Sequence, residues 1–393
     1  MLREQFDTMR LGFGIGLLVL SVPVFAAGVT GWVGTYTVDE GVVTGSPGIY
    51  SVQWDSDTGS FSAMRAVADT VNPSFLALHP SGRFLYAVNE DATPGAAGRV
   101  TAYAIPAAAP GAPLQELGSV SSTGQGPCHL TVDASGKWLF VANYSSGSIA
   151  VYPIQPDGHL AQATQTIQHH GSGPLKGRQD SAHAHEVVLS PDGHFLLVPD
   201  LGSDKVFIYR FDAGTGKLSA NDPAAATFPG GYGPRHLVFS KDAQFVYVIT
   251  ELNPSVVTLR WDARQGALTQ VAAISTLPSS FQGVRSGAEI ALHANGKFLY
   301  ASNRGDSNSI AMFRIDAHGI PVPNGWVPSG GKTPRFFGID PSGQFLITAN
   351  QSSGDLFVFR IDPASGTLTR QGERIAAPGA VDFVFASSAP VPR

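Results

Sequence analysis

The segment HPSGRFLYAVNE, residues 79–90, recurs in altered form five more times along the 393-residue chain. Each copy joins a turn of the Asp/Ser/Asn-Gly type to a strand of aromatic and aliphatic residues. The further copies are DASGKWLFVANY (133–144), SPDGHFLLVPDL (190–201), SKDAQFVYVITE (240–251), HANGKFLYASNR (293–304) and DPSGQFLITANQ (340–351). Successive turns lie 47 to 57 residues apart, a period typical of propellers and repeat arrays.

Each repeat contains four predicted strands. An apolar strand precedes the turn, the repeated strand follows it, and two further strands come before the next copy; four antiparallel strands form one propeller blade. Residues 32–69 supply three strands without a first, and residues 380–386 supply a single apolar strand. We therefore predict an all-β, seven-bladed β-propeller. One blade combines strands from the two ends of the chain, which closes the ring and removes the open edge.

Composition agrees with this fold and excludes several functions. The 45 glycines supply hairpin turns rather than linkers, so residues 28–393 are predicted to form one domain. The net charge is −5 with no basic run, so nothing in the sequence points to a nucleic-acid partner and none is predicted. The single cysteine, Cys128, excludes an internal disulfide and a thiolate-rich metal site, and we expect it to be a small buried side chain.

The only long apolar run, residues 11–26, is interrupted by Gly and Pro and is short for a membrane span. It suits the apolar part of an export signal, with a small-residue cleavage site ending at Ala26. We assign residues 1–27 to this signal, with Met9 as a possible start because Met-Arg then leads directly into the apolar run. The protein is thus predicted to be exported to the periplasm or secreted, without a membrane span in the mature chain. An uncleaved anchor is the alternative.

The repeats also predict where a functional site lies. The first two strands of a blade run antiparallel, so the start of the first and the end of the second meet at one rim of the central channel. Polar residues concentrate there although only 14% of the chain is charged. They include Glu90, Asn143, His185, Asp200, Arg235, Glu251, Asn303, Arg304 and Arg335. Arginines beside carboxylates form either an internal salt-bridge network or an anion-binding cleft, and we favour the cleft because such channel mouths bind ligands. Most of the Asn and Asp residues are expected to cap turns.

Two histidines flank this rim. In a strand-like segment His183 and His185 share a face, which suits either a metal site completed by Asp200 or Glu251, or acid–base chemistry. We favour acid–base chemistry because the pKa of histidine lies near neutrality. The segment 162–182, which contains His169 and His170, is long for a turn and is predicted to cover the substrate as a lid.

A set of short motifs extends the repeat pattern along nearly all of residues 30–385. The motifs are GTYT (34–37), NPSFLALHPSGRFLYAVNE (72–90), GPCHL (126–130), AHAHEVVLSPDG (182–193), DLGSDKV (200–206), GPRHLVF (233–239), TEL (250–252) and SNRGDSNSIAMF (302–313). Together they resemble the seven-bladed propeller lactonase family, which includes bacterial cycloisomerase-type 6-phosphogluconolactonases and fungal carboxymuconate lactonizing enzymes. The proposed catalytic set of the muconate enzymes is a His, two Arg and a Glu. Matched motif to motif, it falls on His185, Arg235, Glu251 and Arg304.

The resemblance implies hydrolysis of a sugar lactone, with 6-phosphogluconolactone as reference substrate and no cofactor or metal. His185 or Glu251 is expected to activate water, while Arg235 and Arg304 hold the anionic group and polarise the carbonyl. Substrate binding is assigned to Glu90, His129, Asn143, His183, Asp200, Asn303 and Arg335. The alternatives are lactone formation or opening on an unsaturated dicarboxylate, a non-catalytic ligand-binding propeller in the cell envelope, and a metal-dependent lactonase.

Overall fold

The computed structural model describes residues 28–39, 42–90, 95–107 and 111–386. In it each of the six repeated turns joins the first strand of a blade to the second strand of the same blade. In five of the six turns a glycine adopts a φ of 69 to 75°. At one of them, Gly136, an added Cβ would also overlap the imidazole of His79 from the preceding blade. Glycine is therefore required there both by the positive φ and by the lack of space for a side chain. The remaining turn has Ala243 at a φ of 54°, a strained conformation for an L side chain.

Six four-stranded antiparallel sheets follow one another along the chain. Blade 1 contains Leu76–Leu78, Phe84–Asn89, Arg99–Ala104 and Gln115–Ser121; blade 2 contains Pro127–Val132, Trp138–Asn143, Ser148–Pro153 and Gln165–Gln168; blade 3 contains Val188–Leu189, Phe195–Asp200, Lys205–Asp212 and Lys217–Thr227. Blade 4 contains Pro234–Phe239, Phe245–Thr250, Ser255–Asp262 and Ala267–Ser275; blade 5 contains Arg285–Leu292, Phe298–Gly305, Ser309–Ile315 and Pro321–Pro328; blade 6 contains Pro334–Ile339, Phe345–Asn350, Asp355–Ile361 and Leu368–Ala376.

The seventh blade joins the two ends of the described chain, as the sequence predicts. Its strands, in order, are Ala380–Phe385, Val29–Thr35, Gly48–Asp55 and an outer pair of short segments, Ser60–Phe61 and Arg65–Asp69. The prediction of one continuous outer strand is wrong in this detail, because the chain between residues 61 and 65 leaves the sheet. The all-β, seven-bladed propeller closed by strands from both ends is confirmed.

Outside the blades, a small ribbon pairs Val38–Asp39 with Val42–Val43. The described residues contain no helix, and hence no helix long and apolar enough to cross a membrane. The predicted export segment, residues 1–27, lies outside the described residues, and the extent of the domain, 28–393, stays a prediction.

Neighbouring blades pack through apolar faces and are joined by recurring hydrogen bonds. In three blades a buried tyrosine of the second strand donates its hydroxyl to the carbonyl of a turn glycine in the next blade, over 2.8 to 3.1 Å. The donors are Tyr86, Tyr247 and Tyr300. At the closure, Trp54 of blade 7 donates its indole N–H to Asp340 of blade 6 over 3.1 Å. These bonds satisfy polar groups inside an otherwise apolar contact between blades.

The segment predicted as a lid is only partly loop. Residues Gln165–Gln168 form the outer strand of blade 2, with Ile167 paired to Ile149 of the third strand. The loop therefore runs from residue 169 to the start of blade 3 at Val188. Along this strand half-buried and exposed residues alternate, as they do in an edge strand, although its sequence QTIQ contains only one apolar residue.

Candidate active site

Strand irregularities give three rim residues their position. In blades 2, 4 and 6 the register of the first strand shifts directly after its opening proline, so one residue has no partner on the second strand. These residues are Cys128, Arg235 and Arg335. A bulge re-aims a side chain and is frequent next to active sites. The start of the first strand, which the repeat count selects, is thus a bulge in these blades.

Three arginines converge on the carboxylate of Glu251, which follows the second strand of blade 4. Oε1 lies 2.5 Å from Nη2 of Arg178, and Oε2 lies 2.7 Å from Nη2 of Arg304 and 3.2 Å from Nε of Arg235. Glu251 and Arg235 are buried, whereas Arg178 is half exposed. Burial alone raises the pKa of Glu251, but Arg304, Arg235 and Arg178 outweigh it and lower the pKa to about 2. The carboxylate is therefore ionised at any physiological pH.

The cluster carries more positive than negative charge. Arg235 donates Nη1–H to the carbonyl of Ala288 over 2.7 Å, while its Nε, although near Glu251, is not aligned for a hydrogen bond. Burial, together with Arg304 and Arg335, lowers the pKa of Arg235 to about 10. Arg304 donates Nη2–H to Ser286 and to the carbonyl of Gly287. One carboxylate thus serves three guanidinium groups, an arrangement that favours a further anion.

Arg335 is the fourth arginine of this rim and its surroundings differ. Its guanidinium lies 5.3 Å above the ring of Tyr36, whose hydroxyl donates to Oε2 of Glu90 over 2.6 Å. Ser74 donates to the same oxygen. Burial disfavours the charge of Arg335, but Tyr36 and Glu90 outweigh it and raise its pKa. Within the described residues Arg335 makes no side-chain hydrogen bond and no ion pair, so its donors are available to a ligand.

His185 lies beside these arginines with a neutral ring. Burial, then Arg235 and His236, lower its pKa well below the ordinary value. Its Nδ1 is 4.0 Å from Sγ of Cys128, and its ring contacts the rings of Tyr144 and His236 at centroid distances of 5.3 and 5.1 Å. Among the described residues Nε2 has no hydrogen-bond partner. A buried neutral imidazole with an unused nitrogen can accept a proton.

Cys128 is buried, as expected from the sequence. Its Sγ lies 3.3 Å from the carbonyl oxygen of His185, and burial raises its thiol pKa. The cysteine therefore remains a protonated thiol that packs against the histidine.

Four of the predicted binding residues use their polar atoms within the scaffold. Asp200 accepts hydrogen bonds from the backbone N–H groups of His183 and Ser203 and pairs with Nδ1 of His169 at 2.8 Å. Asn143 and Asn303 each donate a side-chain N–H to the backbone carbonyl of the residue that follows the outer strand of the preceding blade, Ser122 and Thr276 respectively. His183 stacks on Tyr144 at a centroid distance of 4.6 Å. These contacts hold strand ends and the loop before blade 3 in place.

His129 lies deeper in the channel. Its Nε2 is 3.7 Å from Glu186, and its ring packs against Phe75 at a centroid distance of 4.1 Å. Burial and the nearby His236 lower the pKa of His129. It belongs to the buried interior below the arginine cluster, whereas Glu90 and Arg335 face each other at the rim through Tyr36.

The arrangement brings the four predicted catalytic residues, His185, Arg235, Glu251 and Arg304, to one rim. The metal site considered as an alternative, with His183 and His185 as ligands, does not form. His183 Nδ1 is hydrogen-bonded to the Tyr144 carbonyl, and the carboxylate of Glu251 pairs with arginines. Among the described residues no three His, Cys, Asp or Glu side chains are grouped so as to hold a metal ion.

Sequence reasoning did not single out Arg178. It comes from the loop before blade 3, outside the repeat pattern, so strand counting offers no signal for it. The loop is anchored by Gln179, which is buried and donates its side-chain N–H to the Leu201 carbonyl over 2.8 Å. The prediction that this segment approaches the substrate region was the only signal in the sequence.

Comparison with known proteins identifies relatives over almost the whole chain. A 6-phosphogluconolactonase from Bacillus subtilis is 31% identical over 356 residues, covering 90% of this chain and 97% of the relative. A 6-phosphogluconolactonase from Formosa agariphila is 33% identical over 335 residues, covering 84% and 93%. The solved structure of a periplasmic gluconolactonase from Pseudomonas aeruginosa superposes with a TM-score of 0.86 at 37% identity, covering 92% of this chain and 99% of that chain.

The family description that matches the sequence agrees with the observed architecture. The match spans residues 30–385, from the strand Val29–Thr35 to the strand Ala380–Phe385, which pair in the closing blade. The chain belongs to the family described as lactonase, 7-bladed beta-propeller.

Proposed function

We propose that the protein is a sugar lactonase of the 6-phosphogluconolactonase type. The relatives that bear this name and the periplasmic gluconolactonase support the reaction class. The observation that carries the proposal is that His185 is neutral and lies beside Arg235 and Arg335, whose guanidinium groups have N–H donors without a hydrogen-bond partner among the described residues. A lactone carbonyl needs both a base for the attacking water and positive charge facing the developing oxyanion.

In the proposed reaction Nε2 of His185 removes a proton from water while the oxygen attacks the lactone carbonyl carbon. Arg235 stabilises the resulting oxyanion through the guanidinium atoms that Ala288 and Glu251 leave free. When the intermediate collapses, the bond between the carbonyl carbon and the ring oxygen breaks. The protonated His185 returns its proton to that oxygen, and the product is the open-chain hydroxy acid.

Of the two bases considered, His185 suits the role better than Glu251. A carboxylate with a pKa of about 2 is a weak base, and its oxygens are engaged by Arg178, Arg235 and Arg304. Glu251 instead holds the arginines in a fixed geometry and limits their mutual repulsion. This differs from the equal weight that the sequence alone assigns to the two residues.

Arg335 is proposed to bind an anionic group of the substrate. Its guanidinium has no ion-pair partner among the described residues, whereas a protein-only network would pair it. A guanidinium fork suits a phosphate or a carboxylate, and the Tyr36 ring at 5.3 Å from the guanidinium carbon adds a cation–π contact. This observation favours an anion-binding cleft over a non-catalytic propeller whose rim charges are satisfied internally.

The experiment is a lactone panel assayed by proton release, with gluconolactone and 6-phosphogluconolactone, with and without a chelator. His185→Asn is expected to lower kcat by about 10²- to 10⁴-fold, the usual contribution of a general base. His170→Asn, at an exposed histidine of the same loop region, is the matched control and is expected to retain wild-type rates. Wild-type kcat in His185→Asn, or no turnover of any lactone, contradicts the proposal.

Export to the periplasm is proposed as well, from the apolar run at residues 11–26 and the periplasmic relative. Fractionation of the native host followed by N-terminal sequencing tests it. A mature chain beginning near Ala27 in the periplasmic fraction is expected. An uncleaved cytosolic chain contradicts it.

A further inference from the structure

The channel below the arginine cluster contains buried ionisable groups that the proposed hydrolysis does not use. Three are acids, Glu186, Glu289 and Asp382, and two are histidines, His129 and His236. Glu186 and Asp382 each accept a backbone N–H from the next blade, over 2.7 Å. They act there as links between blades. Glu289 and His236 are arranged differently.

His236 of blade 4 and Glu289 of blade 5 form a pair. His236 Nδ1 lies 3.0 Å from Oε2 of Glu289, and Oε1 accepts the backbone N–H of Ile290 over 2.9 Å. The other ring nitrogen of His236, Nε2, is buried and has no hydrogen-bond partner among the residues that the structure describes. The protonation of Glu289 therefore decides the tautomer of His236. An ionised Glu289 accepts a hydrogen bond from Nδ1–H and leaves a lone pair on Nε2, whereas a protonated Glu289 donates a hydrogen bond to Nδ1, so the ring hydrogen is on Nε2.

The ring of His236 also packs directly against the ring of His185. The two imidazole rings are 5.1 Å apart at an interplanar angle of 73°, so the edge of one faces the plane of the other. On another side, the ring of Tyr144 meets His185 at 75°. Nδ1 of His185 lies 4.0 Å from the thiol sulfur of Cys128, a weak hydrogen-bonding partner that contributes little to the orientation of the ring. Ring packing thus holds the imidazole plane.

We infer that His236 is a positioning residue for His185, and that Glu289 sets the tautomer, and with it the electrostatic surroundings, in which His185 works. The inference rests on the proposed role of His185 as the base. Histidines in catalytic and metal sites are commonly oriented by a carboxylate on the far ring nitrogen. Here the carboxylate of Glu289 contacts His236 and not His185 itself, so one imidazole ring lies between the carboxylate and the proposed base.

The pair changes its protonation in the range where the enzyme is assayed. Burial raises the pKa of Glu289 to about 8, against the opposing effect of Arg235. Below that pH the acid is protonated and donates to His236, and above it the carboxylate accepts. The charged and titratable groups that face the pair are Arg235, Arg304, Arg335, Glu251, Glu186, Asp382, His129 and His185. Burial, and after it the nearby arginines, lower the pKa of His236 well below its ordinary value and keep the ring neutral in both states.

Glu289→Gln tests the inference directly, because the amide donates to Nδ1 as the protonated acid does but cannot ionise. We expect the wild-type pH profile of kcat, corrected for spontaneous lactone hydrolysis, to show an inflection near pH 8. Glu289→Gln is expected to lack it while its kcat below pH 7 stays within about twofold of wild type. Asp382→Asn is the matched control, a buried acid of the same channel whose amide oxygen still accepts the Leu76 N–H, and it is expected to keep the inflection.

Two further measurements separate positioning from simple structural support. His236→Gln is expected to lower kcat about tenfold with KM within twofold, at an unchanged circular dichroism spectrum. ¹⁵N NMR of the imidazole rings, with the His236 signal identified by its loss in His236→Gln, is expected to show a tautomer change near pH 8 in wild type but not in Glu289→Gln.

The outcomes are distinct from those of the proposed function. An inflection that persists in Glu289→Gln, or a wild-type NMR spectrum without the tautomer change, overturns the inference while leaving lactonase activity intact. Absence of lactone turnover in wild type refutes the proposed function instead, and the NMR arm still decides whether the pair sets the tautomer.

Discussion

Replacing Glu251 by Gln removes the one carboxylate that three arginines share. Its pKa is about 2 in the folded protein against an ordinary 4.5, a difference that corresponds to about 3 kcal/mol of stabilisation of the ionised form. Breaking a buried ion pair by removing one partner costs about 3 to 5 kcal/mol, which agrees. We therefore expect Glu251→Gln to lower the free energy of unfolding by about 3 kcal/mol at pH 7.

The pH dependence distinguishes this electrostatic effect from a packing defect. Because the pKa of Glu251 is lower in the folded protein than its ordinary value, its stabilisation is complete above about pH 4.5 and is lost as the pH falls toward 2. The difference in unfolding free energy between wild type and variant should thus shrink over that interval. Glu373→Gln, at an exposed glutamate, is the control and is expected to leave stability unchanged.

Urea unfolding followed by tryptophan fluorescence at pH 7, 5, 4 and 3 measures these differences, with the thermal midpoint as a second readout. A destabilisation that is the same at pH 7 and pH 3, or a variant as stable as wild type at pH 7, would falsify the account of Glu251 as the ionised centre of the arginine cluster.

Three further predictions follow from particular contacts. Arg335→Lys is expected to raise KM for an anionic lactone about tenfold while KM for neutral gluconolactone changes less than twofold; equal effects on both substrates contradict anion binding. Ala243→Gly relieves a φ of 54° and should raise the free energy of unfolding by about 1 kcal/mol in urea titrations, and a loss of stability argues against backbone strain at this turn. Trp54→Phe leaves Asp340 without its indole partner at 3.1 Å and should cost about 1 to 3 kcal/mol by the same assay; an unchanged midpoint means that the closure does not depend on this bond.

The propeller could be predicted from the sequence because its evidence is local and repeated. Each turn glycine directly precedes the second strand of its blade in the sequence. The unit at residues 32–69 lacks a first strand, and the single strand at 380–386 supplies it. The details that failed depend on edges: the outer strand of blade 7 divides, and residues 165–168 pair as a strand rather than belonging to a loop. Outer strands have weak patterns because one side faces solvent.

The rim residues could also be predicted in part. His185, Arg235, Glu251 and Arg304 follow from the strand register and from the family motifs. The sequence does not show that Glu251 pairs with three arginines, or that Arg335 has no ion-pair partner among the described residues. The first fact argues against Glu251 as the base, and the second makes Arg335 the proposed anion-binding residue. Two of the arginines that pair with Glu251, Arg178 and Arg304, are more than 50 residues away from it in the chain, so local sequence does not record this pairing.

By itself, then, the sequence determined the number of blades, the closure and the rim on which the polar residues collect, since all three follow from a pattern of period two within strands and about 50 between them. Only the tertiary structure decided that Arg178 enters the site from a loop and that His236 pairs with Glu289 beneath His185. The physical reason is that such pairs form between different blades. Their energies depend on burial and on every neighbouring charge, which no local pattern records.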